Sequence, residues 1–574
     1  MRETTRRRRF ALPVVVALLA LVAAACGGNG GNGSGGTTND AAFDPNDCQG
    51  GTLQVLNQRD ITHLDPARLY TSGGGNIPSL LFRTLTTRNR EGGAEGTKVV
   101  PDLATDTGKP SADAKTWTFT LRDNLKFDDG TPITSKDVKY GIERSFAPEL
   151  PGGAPYLRDW LENAAKYQGP YKQPEGIKAI ETPDDKTIVF KLRKPEGDFP
   201  YLATATQFAP VPKAKDTGTK YENKPVSSGP YKVESYEKNK LLVLTRNEHW
   251  SRDVDPERLA CPDKIEITSG LDAAVINQRL STSGGDDANA VTTDTELGPS
   301  ELARVDSDPN LAKRVAKGHF PYVYYIAFNP KVKPFDNPKV REAISYAVNR
   351  QSVINAVGGT ALADPATTYL PTQKSMGHKD YDHFPAGETG NPTKAKEVLA
   401  EAGFPNGLTI PLTHTTDKGA GNGPEVAAAI QDALKQAGIT VQLNGLEDEA
   451  FNGTVEVPAK SPGAALFGWG ADWPSGFPFL QPIFDGRQIL AQGNYNIAQY
   501  NDPEVNQEFD DIAKLTDLSA AASRYGDLDE KIGELALTVP LYHGKDLALF
   551  GTNVKNTFVS DWTGKYDLAG LSVK

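Results

Sequence analysis

Apolar positions along this chain recur with two spacings that keep exchanging. "TWTFTLRDNLKF" (116–127) alternates apolar and polar residues, as a half-buried strand does. "DDG" turns it, and "TSKDVKYGIERSF" opens a helix behind the capping pair Thr134 and Asp137. In "DNPKVREAISYAVNR", Pro338 stands at a first helical position, and Val340, Ala343, Ile344, Ala347 and Val348 share one face. "NPTKAKEVLAEAG" repeats the device with Pro392 at its start and Gly403 past its end. Between 408 and 470 the order is strand ("LTIPLT"), helix ("PEVAAAIQDALKQAG"), strand ("ITVQL"), strand ("AALFGWG"). That order predicts a right-handed crossover, parallel pairing and an α/β architecture. "ADWPSG" then falls just beyond the carboxyl end of a strand, where open α/β sheets bind ligands.

The first residues break this pattern. "MRETTRRRRF" is basic and "ALPVVVALLALVAAA" is apolar, too short and too unevenly flanked for an ordinary spanning helix, so residues 1–25 read as an export signal. Cys26 follows three small residues, a placement that resembles a bacterial lipobox, so it is the expected lipidation site. "RRRF" also resembles a twin-arginine signal, and four Arg in a row do not separate the two routes. Residues 26–47 form a Gly-rich tether. Its G-x-G-x-x-G at Gly28, Gly30 and Gly33 has no strand before it and no helix after it, so it is no dinucleotide motif. Cys48 and Cys261 are the only other cysteines. In an oxidising compartment they are expected to pair, the alternative being two buried free thiols.

At 574 residues the chain is too long for one core. Its formal charge of −11 becomes about −15 once the leader is set aside, the reverse of a nucleic-acid binder. No G-x-S-x-G or H-E-x-x-H occurs, so neither a nucleophile elbow nor a zinc-protease helix is in view. "HKDYDH" (378–383) is the one metal-friendly cluster, and a solvated loop is its simpler reading. "DDANAVTTDTE" lacks the Gly and terminal Glu of a calcium loop. No metal and no cofactor are expected. "FGWGADWPSGFPFL" (467–480) is different: Asp472 is set between Trp469 and Trp473, and a carboxylate among aromatics costs free energy unless a cation or donors meet it.

Several long blocks, in order from about Gly50 almost to the end, resemble the extracytoplasmic solute-binding proteins of peptide/nickel-type ABC importers. They are "GGTLQVLNQRDITHLDPAR", "WTFTLRDNLKFDDGTPITSKDVKYGIER", "SSGPYKVESYEKNKLLVLTRNEHW" and "YIAFNPKVKPFDNPKVREAISYAVNR". The resemblance implies a periplasmic-binding-protein-like fold: two α/β lobes joined by a two-strand hinge, plus a smaller appended domain. Domain I is then 48–80, 228–322 and 541–574, domain II is 81–227, and domain III is 323–540. The crossings fall at "YYIAFN" (324–329) and "VPLYHG" (539–544). It implies that Asp472 pairs with a peptide's free α-amino group, with Trp469, Gly470 and Trp473 around it. The loop of Tyr70, Thr71, Ser72 and Gly73 would run beside the ligand, and a Cys48–Cys261 disulfide would join the opening strand to the large domain. The chain is thus expected to be a lipid-tethered, monomeric receptor that performs no chemistry, on the outer face of the cytoplasmic membrane or in a periplasm. It would present a peptide to ABC permease subunits. The same fold carrying a nickel or iron chelate, an oligosaccharide or another small solute is the alternative, and a secreted hydrolase or surface scaffold a more distant one.

Overall fold

The computed structural model describes residues 43–70, 76–417 and 423–574. Cys26, Thr71, Ser72 and Gly73, with the leader and most of the tether, lie outside the described residues.

The opening strand, Thr52–Leu56, is central to a five-stranded sheet. It pairs in parallel with Lys264–Thr268 and with Ala290–Val291, and Leu241–Arg246 and Tyr231–Glu237 extend the sheet antiparallel. Thr52 lies opposite Lys264, so the residues just before both strands meet at one end of the sheet. There Cys48 and Cys261 form a disulfide, with Cα atoms 5.2 Å apart and a sequence separation of 213. In the chain-entropy treatment a loop of that size is worth about 4–5 kcal/mol.

A second sheet holds Lys109–Pro110, Thr116–Thr120, Thr187–Lys191 and Ile180–Glu181, all antiparallel. The alternation read in "TWTFT" is its inner face: Trp117 and Phe119 are buried against Ile188 and Phe190. The helix Ser135–Arg144 follows with a full capping box, the Thr134 N–H donating to Asp137 Oδ2 at 2.8 Å. Upstream, the ribbon Thr86–Arg88/Val99–Pro101 is held to the first lobe through buried ions. Arg88 and Arg90 pair with Asp567, while Arg83 and Arg258 pair with Asp102. The stretch from Arg83 to Asp102 thus bridges the two: its ion pairs reach Arg258 and Asp567 of the first lobe, while Leu85 packs in the core of Trp117 and Phe119.

The third sheet runs Ala363–Pro365, Thr538–Leu549, Val315–Phe328, Ala464–Gly470, Leu408–Thr415, Ile439–Leu446. Leu408–Thr415 is parallel to both Ile439–Leu446 and Ala464–Gly470, the pairing the strand–helix–strand order predicts. Its connecting helix, Gly423–Gln436, buries Val426, Ile430, Ala433 and Leu434. The helix at Pro338 is shorter than its apolar stripe: it ends at Ala347, and Asn349 caps a new helix, Arg350–Val357.

Val315–Phe328 and Thr538–Leu549 are the long strands. They pair antiparallel from Val315↔Leu549 to Ala327↔Thr538. Val315, Leu547 and Leu549 sit in a core shared with Leu56 and Ile276 of the first lobe. Ile326, Phe328, Val539 and Leu541 sit in the core under the third sheet. One pair of strands thus spans two cores. A further apolar core runs from Trp117, Phe119 and Phe190 through Trp160 to Trp473 and Phe477, joining the second lobe to the third.

Candidate functional site

The strand Ala464–Gly470 delivers "ADWPSG" to the junction of all three lobes. Its two glycines make room for aromatic rings on the neighbouring crossing strand. Tyr322 lies opposite Gly470 and Tyr324 opposite Gly468. A Cβ at Gly470 would stand 2.5 Å from Tyr322 Cδ2, and one at Gly468 2.5 Å from Tyr322 Cε1. Only glycine allows the rings to lie flat across the strand. The rings continue as a ladder: Phe320 stacks on Tyr322 at 5.6 Å, Tyr322 meets Tyr324 at 4.8 Å, and Tyr324 stacks on Tyr542 at 4.5 Å. The strand ends at Gly470, and Ser475 caps the helix Gly476–Phe484. Asp472 is fixed in the short stretch between.

Asp472 Oδ2 accepts two phenol hydrogens, one from Tyr70 at 2.7 Å and one from Tyr156. Tyr70 belongs to the first lobe, Tyr156 opens the helix Tyr156–Trp160 of the second, and Asp472 belongs to the third. One carboxylate oxygen therefore ties three lobes together. Asp472 is half-buried, and burial raises its pKa while the two phenols act in the lowering direction. Among the described residues no Lys, Arg or His pairs with it, so its charge is met by neutral donors alone.

Trp473 sits deeper than a cleft wall. It is 4 % exposed, its ring packs on Tyr156 at 4.8 Å and on Phe477 at 6.1 Å, and its Nε1–H donates to Asp198 Oδ2 at 2.7 Å. It is a bolt between the second and third lobes, because an indole with a satisfied N–H is at home in a core. Trp469 is half-buried, donates to the Pro478 carbonyl at 2.9 Å and packs on Tyr495 at 4.7 Å. Tyr70 and Tyr495 are 50 % and 38 % exposed, which is unusual for large aromatics in a folded protein. A separate cleft, lined by Leu69, Ile61, Ile77, Phe320, Arg59 and Lys565, encloses about 1030 Å³, its open mouth included.

Tyr156 and Tyr495 carry no local signal in the sequence. Tyr156 lies 316 residues before Asp472 and becomes its partner only through the packing of lobes. "HKDYDH" is a loop in which Asp380 and Asp382 are exposed while the other side chains are partly covered and tied to the fold. His383 Nε2 meets the Glu530 carbonyl at 2.9 Å, His378 Nδ1 meets the Leu370 carbonyl at 3.0 Å, and Tyr381 OH donates to the Asp529 carbonyl. Among the described residues no group of three His, Cys, Asp or Glu is arranged to hold a metal ion, and no helix is long and apolar enough to cross a membrane.

The family profile described as "Bacterial extracellular solute-binding proteins, family 5 Middle" matches residues 98–490. The chain belongs to this family. It is an extracytoplasmic solute-binding receptor of ABC importers, not an enzyme. It is similar to "Heme-binding protein A" of Haemophilus influenzae, 28% identical over 500 residues, with 83% of this chain and 84% of the relative covered. It is also similar to "Periplasmic oligopeptide-binding protein OppA" of Salmonella typhimurium, 26% identical over 546 residues and covering 91% and 92%. The solved structure of "Clavulanic acid biosynthesis oligopeptide binding protein 2" superposes with a TM-score of 0.86 at 34% identity, covering 94% of this chain and 99% of that one. In this receptor the three-lobe junction at Asp472 holds a partly accessible carboxylate that no described cation meets.

Proposed function

We propose that this receptor captures peptides, or solutes that share a peptide's free amino terminus, and that Asp472 takes the ammonium group. One observation carries the reading: a half-buried carboxylate at the meeting point of three lobes has no cation of its own among the described residues. A ligand ammonium would supply that cation in a site sheltered from water, where a charge-assisted hydrogen bond is strong. Exposed Tyr70, Tyr495 and the edge of Trp469 offer aromatic faces to the same cation. Closure of the lobes around the ligand is part of this reading, supported by the Tyr70–Asp472–Tyr156 trio, which draws one member from each lobe. The closed form is what ABC permease subunits would receive. We also propose that Cys26 is lipidated and holds the receptor at the membrane, and that it acts as a monomer.

A thermal-shift panel tests the cargo. The protein is unfolded and refolded to strip carried-over ligand, then offered di- to hexapeptides in free and N-acetylated forms. At a hundred times its Kd a ligand adds about 2.7 kcal/mol of stability. Stabilisation by free but not acetylated peptides is the expected result. Silence from both sets with the protein folded overturns the peptide reading and turns attention to chelates, haem and sugars.

A further inference from the structure

The hydrogen bonds at Asp472 are unevenly distributed. Both phenols, Tyr70 and Tyr156, donate to the same oxygen, Oδ2, while Oδ1 accepts nothing from any described residue. A carboxylate oxygen has two lone-pair sites in the plane of the group. With two donors in place Oδ2 is full, and the ligand is left with Oδ1 alone. A guanidinium or amidinium binds a carboxylate best as a fork, with two parallel N–H donors on two oxygens. A primary ammonium is a point charge that needs only one. We infer that the two phenols on Oδ2 make Asp472 a one-oxygen acceptor, selecting ligands with a primary ammonium over ligands whose reacting end is a guanidino or amidino group. Tyr70 and Tyr156 are then specificity-determining residues as well as struts between lobes. The phenol oxygens, having donated their hydrogens, keep lone pairs that further ammonium N–H groups can use.

This inference rests on the reading that Asp472 receives the ligand's cation, and its test separates the two. The probe is a synthetic random tripeptide mixture without lysine, in free, N-amidino and N-acetyl forms. Binding is read by native mass spectrometry and by titration, on the wild type and on Tyr70→Phe. Tyr70 is half-exposed, so loss of its hydroxyl should leave the fold intact, and Tyr156→Phe gives a second measurement of the same effect. The wild type should bind the free mixture at least tenfold tighter than the N-amidino mixture. Tyr70→Phe opens one site on Oδ2 and should narrow that ratio at least threefold. Equal affinity of the wild type for the two mixtures overturns the inference. So does a ratio that neither variant changes while free peptides still bind. If no form binds at all, the peptide reading itself falls and takes the inference with it.

Discussion

Glu196 offers a prediction whose size follows from its surroundings. It lies in the 194–198 loop of the second lobe, which is pressed against the third. The Gly197 N–H donates to the Ala513 carbonyl at 2.8 Å, and a Cβ on Gly197 would stand 1.8 Å from the Leu515 carbonyl oxygen. Glu196 is 1 % exposed, and neither of its oxygens accepts a well-formed hydrogen bond, although Lys194 Nζ stands 3.1 Å from Oε1. Asp198 and Asp510 add negative charge nearby. Burial therefore pushes the Glu196 carboxyl from 4.5 up to about 7, and burial likewise lifts Asp198 from 3.8 to about 6. With its pKa raised on folding, Glu196 holds a proton in the folded protein that the unfolded chain releases above pH 4.5. Stability from this group is greatest in acid and is lost as the pH rises towards 7. The displacement from 4.5 to about 7 corresponds to about 3 kcal/mol at full ionisation. Glu196→Gln cannot ionise. Between pH 5 and pH 8 the wild type should therefore lose about 2–3 kcal/mol more stability than the variant. For a unit of this size that is roughly 2–3 °C in Tm if unfolding is a single step. Asp198 titrates in the same window but is present in both proteins, so the quantity that decides is the difference between the two pH curves. Parallel curves would refute the argument that Glu196 is buried at the lobe seam without adequate compensation.

Two further outcomes follow from the same structure. Asp102 is fully buried and accepts from Arg83 Nε at 2.7 Å and from Arg258 Nη2 at 2.9 Å, so Asp102→Asn should cost about 3–5 kcal/mol in denaturant unfolding, while a loss under 1 kcal/mol would show the cluster to be dispensable. Gly470→Ala must displace the Tyr322 ring beneath the site, so ligand affinity should drop at least tenfold while the far-ultraviolet circular dichroism stays unchanged; wild-type affinity would contradict the role given to that glycine.

Much of the fold was legible because it is written in local periodicity. The capping box at Thr134, the proline-started helices at Pro338 and Pro392, and the parallel crossover from 408 to 470 all appear where pattern and chain order put them. The Pro338 helix stops at Ala347, one residue short of its apolar face, because an apolar stripe does not reveal a cap and Asn349 starts a new helix directly after Val348. The site was only half visible. Asp472 stands out in sequence because a lone acid among indoles and glycines demands an explanation. Tyr70 entered only through the family resemblance, and Tyr156 not at all, since they reach Asp472 across 402 and 316 residues through the packing of lobes. Trp473, expected around Asp472, is buried beside it, packed on Tyr156 and Phe477 with its N–H donating to Asp198, 275 residues away, and no local pattern announces those partners.

Asp472 pairs with no cation among the described residues and, in the proposed function, receives the ligand's. The most direct test is a calorimetric titration of a peptide that stabilises the wild type, repeated with Asp472→Asn. Asparagine keeps the size and can still accept from the two phenols, but it carries no charge. Removing one partner of a sheltered, hydrogen-bonded charge pair costs about 2–5 kcal/mol, which is a loss of affinity of roughly thirtyfold or more. That loss, absent for the N-acetylated peptide, is the predicted result. Equal affinity of both proteins for the free peptide would contradict the account.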